Sequence, residues 1–281
     1  MKPGDNLWEL KFWRVPHLEG IELMRVSNLT HDYPRHIHEE YCIAVIIRGT
    51  ETHICRGKSY EASAGNLMLI NAYEAHSTRS AGVEYRAFHI SPKELRRIAL
   101  EVSVRNFEPL YFSNPVIEDS STFQLLLNLH LKLEQKVSPL EQEAEYLSAI
   151  SLLIKRQEKF HFSLRPVGKE PRYIELVRDY LRSNYAENVS LSKLASLTNL
   201  SPFHLLRVFR SQVGVPPHEY QTQVRVIQAG RLLRKGYSIL DAAHETGFFD
   251  QSHLSRNFRR ITGMTPGFYL SHSNIVQDSI R

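Results

Sequence analysis

The feature that most restricts the fold is a repeat within the last third of this 281-residue chain. The 17 residues from His204 to Tyr220 lie over those from His253 to Tyr269 at an offset of 49. Eight positions are identical: His, Leu, Arg, Phe, Arg, Gly, Pro and Tyr. Average composition gives roughly one match by chance. Two copies are too few for a solenoid, which needs three or more stacked units to close a shared core. They imply two compact units of one kind.

Each copy carries the parts of a helix-turn-helix. Ser190 is placed to cap a short helix with Leu191, Leu194 and Ala195, and Ser238 to cap one with Ile239, Ala242 and Ala243. Alanines 195 and 243 are small enough for a close helix crossing. Four residues later come Asn199 and Gly247, types that accept a left-handed backbone in a tight turn. Ser201-Pro202 and Asp250 start the next helices, and Gly214 and Gly263 end them. In the first of these helices Leu205, Phe209 and Val213 form the apolar face. Phe203, Leu206, Arg207 and Arg210 lie opposite, with His204 beside Phe203. In the second, Leu254, Phe258 and Ile261 are the buried set, and Ser252, Ser255, Arg256 and Arg259 the open one, with Gln251 beside them at the helix start. Such open faces suit a DNA major groove: Arg pairs with guanine, Gln with adenine, and apolar groups meet the thymine methyl. Arginines further along can equally hold phosphates. Residues 217–235, closed by Gly236, predict a stiff helix between the copies, about 28 Å long at ~1.5 Å per residue. Adjacent grooves on one side of DNA lie about 34 Å apart.

Charge follows the same division. Residues 172–281 hold fourteen Lys and Arg against eight Asp and Glu, whereas the rest holds 21 against 22. A basic part beside a neutral one fits a polyanionic partner for the former. The run from Gly247 to Pro266 resembles the signature of the AraC/XylS family of transcription regulators, and the likeness extends over about Arg172 to Leu270. The resemblance implies that helices 201–212 and 250–262 both enter the major groove. Its contacts fall on Phe203, Leu206 and Arg207, then Gln251, Ser252, Ser255 and Arg256. Leu206 is apolar where relatives often carry a hydrogen-bonding residue. Double-stranded DNA, a small-molecule effector, RNA polymerase and a second copy of the chain are the implied partners, and activation the implied output.

The first half has a different texture. From about Leu23 to Ile90, short β-branched and apolar runs such as Tyr41 to Ile47 and Asn66 to Asn71 alternate with Gly49, Gly57, Gly65 and Gly82. This predicts a small barrel or sandwich. His36 to Gly49, then Ala64 to Asn71 and His76, resemble the cupin-type sensor domains of the same family. Two helices are expected over 121–160. The first has a stripe of Phe123, Leu126, Leu127, His130 and Leu133; the second has Leu140, Ala144, Leu147, Ser151 and Ile154. The stripes can pack on the strands or form a dimer seam. The expected fold is therefore multidomain. It has a cupin-like β-barrel with two following helices in 1–161, a linker at 162–171, and an all-α domain with two helix-turn-helix motifs in 172–281.

His36, His38 and Glu40 share one face of a strand by its period of two, and His76 can join them in a barrel. Three readings stay open: an organic effector, a divalent metal on His36, His38 and His76, or a satisfied polar cluster. Metal-binding cupins place a glutamate about four residues beyond the second histidine, where this chain has Cys42. A cupin metalloenzyme would leave the last hundred residues without a role, and an architectural DNA binder would not need the first half. Cys42 and Cys55, the only cysteines, sit in apolar runs as expected in a reducing cytoplasm. No stretch is long and apolar enough to span a membrane, and Met1 to Asp5 is not followed by a signal-peptide core.

Overall fold

The computed structural model describes residues 9–102, 110–135, 138–159 and 172–273. The expected linker, 162–171, lies outside them. Eight strands form one antiparallel sheet in the order β1-β2-β7-β4-β6-β8, with β3 pairing β7 and β5 pairing β4. They are β1 (Glu9–Trp13), β2 (Ile21–Leu29), β3 (Tyr33–His36), β4 (Tyr41–Cys55), β5 (Lys58–Ser63), β6 (Leu67–Ile70), β7 (His76–Ile90) and β8 (Val116–Ile117). The spine is β4 against β7, in register from Tyr41↔Ile90 to Cys55↔His76. Register shifts around Arg48 mark bulges that bend both strands. Gly49 sits at this bend with φ +74, and a Cβ there would meet the Gly82 carbonyl oxygen at 2.4 Å. No other residue fits so close a backbone approach.

Both faces of the sheet are buried, which explains the unbroken apolar runs. Ile43, Val45, Leu67, Leu69, Phe88 and Ile90 face α1 (Pro92–Val102), α2 (Ser120–Lys132) and α3 (Pro139–Lys159). Cys42, Ala44, Ile46, Met68, Ile70 and Tyr85 face the other way. There they join a core that includes Val226, Phe258, Ile261 and Met264 of the C-terminal half. The inner face of the sheet is thus closed by the helical domain itself.

The phase of α3 differs from expectation. Gln142, Tyr146, Ala149, Ile150, Leu153 and Ile154 are buried, while Leu140 is 76% exposed and Ala144 is exposed. Three-four spacing fits both faces of this helix, and the bulkier Tyr146–Ile150 side takes the core.

The C-terminal half comprises α4 (Arg172–Ser183), α5 (Leu191–Thr198), α6 (Pro202–Val213), α7 (Pro217–Arg234), α8 (Ile239–Glu245), α9 (Gln251–Thr262) and α10 (Pro266–Ser273). Each expected boundary device is in place. The Ser190, Ser201, Ser238 and Asp250 side chains accept from Lys193 N, His204 N, Asp241 N and His253 N. Asn199, Gly214, Gly247 and Gly263 all have positive φ.

Candidate functional site

The two α5-α6 and α8-α9 units bury the apolar faces expected of them: Leu205, Phe209 and Val213 in α6, and Leu254, Phe258 and Ile261 in α9. The opposite faces are open. Phe203 is 87% exposed, and His204, Arg207, Arg210, Gln251, Ser252, Arg256 and Arg259 are exposed, with Leu206 and Ser255 half-buried. Phe249, immediately before α9, is equally exposed and escaped the sequence reading because it lies outside the helix. Arg225, in the middle of α7, was also missed. Its guanidinium donates to the carbonyls of Tyr185 (2.7 Å), Glu187 (2.9 Å) and Gly247 (2.8 Å), tying the approach to the first unit to the turn of the second. Only the fold brings those carbonyls together.

A second feature lies between the halves. A cavity of about 240 Å³ opens inside the sheet. Met24, Cys42, Met68 and Ile70 give it apolar walls, and α7 and α9 close it with Val226, Gly230, Phe258, Ile261 and Thr262. His36, His38, Glu40 and His76 all line it. They do not share one strand face, since β3 ends at His36 and the chain turns through His38 and Glu40. The imidazoles nevertheless converge. Ring centroids of His36 and His76 are 4.3 Å apart, and those of His38 and His76 4.9 Å. His53 and His89 join them, 5.1 Å from His76 and 5.7 Å from His38. Neither was legible beforehand, because only the register of β4 on β7 brings them to this side.

The Nδ1–H groups of His36, His38 and His76 donate to the carbonyls of Pro34 (2.8 Å), Glu40 (2.8 Å) and Glu74 (2.9 Å). A carbonyl only accepts, so these neutral rings keep Nε2 as an acceptor. Burial lowers the pKa of all five histidines, taking His36 and His53 to about 4. Burial likewise pushes the Glu51 carboxyl on the cavity wall up to about 7. Among the described residues no three His, Cys, Asp or Glu side chains are arranged to hold a metal ion. The chemistry available is a largely apolar slot with neutral imidazole acceptors, one weakly acidic carboxyl in Glu51, the Glu40 carboxylate and the Glu22–Arg234 ion pair.

Polar contacts pin the domains around this cavity. Arg234 of α7 pairs with Glu22 of β2 at 3.1 Å and donates to the Tyr269 hydroxyl. Arg231 pairs with buried Glu39, and Gln223 donates to the Arg35 carbonyl at 3.2 Å.

Comparison with known proteins finds two family models along the chain. Residues 20–150 match the model of the AraC-like ligand binding domain, and residues 194–272 match that of a helix-turn-helix domain. An uncharacterized HTH-type transcriptional regulator of Bacillus subtilis (strain 168), YbfI, is 33% identical over 242 residues, 85% of this chain and 87% of that protein. The HTH-type transcriptional activator RhaS of Escherichia coli (strain K12 / DH10B) is 25% identical over 248 residues, 84% of this chain and 86% of RhaS. Among solved structures, unsaturated fatty acid bound ToxT from Vibrio cholerae has the same fold. Its TM-score is 0.65 at 15% identity, over 98% of this chain and 99% of that one. No helix among the described residues is long and apolar enough to cross a membrane.

Proposed function

The chain belongs to the AraC family of DNA-binding transcription regulators with an N-terminal ligand-binding domain, and from that premise we propose that a small molecule in the sheet cavity controls how α9 and α6 meet DNA. The observation that carries this reading is the double use of α9. Phe258, Ile261 and Thr262 face the cavity, while Ser252, Arg256 and Arg259 lie exposed on the other side, with Gln251 exposed at the helix start and Ser255 half-buried at the edge. An occupant changes the packing behind the helix whose front reads the groove. A volume of about 240 Å³ lies below the ~300–1,000 Å³ usual for drug-sized ligands. It suits a compact metabolite with an apolar body and polar hydrogen-bonding groups. ToxT, whose fold this chain shares, has been solved with an unsaturated fatty acid, which supports ligand control of this architecture.

The DNA contacts assigned to α6 are Phe203, His204, Leu206, Arg207 and Arg210. We take residues 1–161 as the sensing and dimerisation part and 172–281 as the DNA-binding part. The likeness to RhaS supports activation, and hence contact with RNA polymerase in the cytoplasm. The leucines left outward on α2 and α3, Leu131, Leu140 and Leu152, favour a dimer through those helices. The chain is read as a regulator, as its relatives are, rather than as an enzyme.

The test selects bound sequences from random duplex DNA with the full-length protein, with and without a metabolite panel. Arg207→Ala and Arg256→Ala each weaken binding to the selected site while leaving the melting temperature within about 2 °C of the parent, as surface substitutions do. A good base contact is worth about 1–3 kcal/mol. If neither substitution alters affinity or base preference, the assignment of the reading faces is wrong.

A further inference from the structure

A larger cavity, of about 550 Å³, lies between the two domains on the side of the first helix-turn-helix unit. Two of its lining carboxylates are already paired. Glu74 accepts from Arg56 (2.5 and 2.9 Å), from Asn71 Nδ2 (2.9 Å) and from the Tyr111 hydroxyl (3.3 Å). Arg56 directs its remaining donors to the Phe112 and Ser113 carbonyls at 2.8 and 2.6 Å. Asp179 accepts from Arg182 Nη1 at 3.1 Å. Among the described lining residues, Glu175 is then the one carboxylate outside these bonds.

Two guanidinium groups, of Arg35 and Arg182, line the cavity beside it. Arg35, from the end of β3, has no ion-pair partner among the described residues. Its guanidinium lies against Gly214, where an added Cβ would come within 2.3 Å of Nη2. Arg182 of α4 stacks on Tyr73, its guanidinium carbon 3.8 Å from the ring centroid, and donates Nε to the Tyr220 hydroxyl at 2.9 Å. Its Nη2 is buried with no acceptor among the described residues. A buried guanidinium donor without an acceptor is costly, and carboxylate and phosphate oxygens are the acceptors that its fork of donors fits best.

We propose that this cleft binds a small oxyanion, a carboxylate or a phosphate, held between Arg35 of the sheet domain and Arg182 of the DNA-binding domain. The anion joins the two domains at the C-terminal end of the first recognition helix. It occupies a site separate from the effector cavity, so its fate does not depend on that reading.

Inorganic phosphate and citrate, each titrated into the full-length protein with potassium chloride holding ionic strength constant, test this by thermal shift and calorimetry. One or both raise the melting temperature saturably. Response to phosphate alone or to citrate alone identifies which source the cleft prefers. Arg35→Gln, whose apo melting temperature serves as the folding control, weakens the effective anion by about tenfold or more, as loss of a charge-assisted contact does. Arg35→Lys recovers part of the loss. The double variant Arg207→Ala/Arg256→Ala keeps the response. The proposal is overturned if neither anion gives a saturable shift or if Arg35→Gln responds like the parent. It is overturned equally if the double variant loses the effect, which would move the anion to the DNA-reading faces.

Discussion

His53 is fully buried, and neither ring nitrogen has a hydrogen-bond partner among the described residues. With His36 it is held near pKa 4 by burial, against an ordinary value of 6.5. Above pH 6.5 these rings are neutral in folded and unfolded chains alike. As pH falls below 6.5 the unfolded chain takes up protons that the folded one refuses, so stability drains away towards pH 4. Glu51 acts in the opposite sense: raised to about 7, it contributes stability at low pH that is lost as pH rises through 7. The expected result is a melting temperature that falls between pH 6.5 and 5. His53→Leu makes that fall shallower and costs little at pH 7, where it removes two unpaired polar atoms. An unchanged slope in the variant would show that the imidazole is not excluded from water. At this scale the sequence revealed the site only partly. His36, His38 and His76 could be grouped because a short spacing and one later segment suffice. His53 and His89 required knowing which residue of β4 faces which of β7, a long-range register that no local pattern encodes.

Helices of the C-terminal half were legible almost to the residue, since caps, prolines and left-handed glycines are local chemistry. The outward Leu140 shows the limit: amphipathic spacing fixes that a helix forms, while the partner surface selects its buried side. The turn of the second unit illustrates how tight this local chemistry becomes. Gly247 has φ +77, and a Cβ there would meet the Ala186 carbonyl oxygen at 2.3 Å. Gly247→Ala therefore pushes the α8-α9 turn off the segment that Arg225 also grips. It lowers the melting temperature and weakens operator binding together, measured by calorimetry and by DNA titration. Gly230 in α7 behaves differently. Its φ is ordinary, and an added Cβ would find its nearest neighbours, Tyr269 and Phe258, at 3.7–3.8 Å, normal contact. Gly230→Ala stabilises the helix by about 1 kcal/mol. Because Gly230 lines the sheet cavity proposed to hold the effector, the same methyl narrows it. The variant melts higher and binds the effector less tightly. Higher melting with unaltered affinity would place the effector elsewhere.

Across the whole molecule, α7 is both the rod between the two readers and the clamp on the sensor. Arg231 meets Glu39, which is only 7% exposed. Arg231→Gln leaves that carboxylate buried without its cation, and the loss is about 1–3 kcal/mol. Adding Glu39→Gln restores much of it, so the two changes are not additive in a double-mutant cycle read by chemical denaturation. Additive losses would mean that the pair does not hold the domains together. The shared apolar core was the part least visible in advance: Val226, Phe258 and Ile261 read as ordinary helix-bundle residues, although they also close the inner face of the sheet. That shared wall imposes a symmetry on regulation. If a bound metabolite multiplies operator affinity by some factor, the operator must multiply metabolite affinity by the same factor. Under such coupling a promoter occupied by this protein tunes its own regulator's sensitivity, and the concentration that triggers the switch differs between molecules on DNA and molecules free in solution.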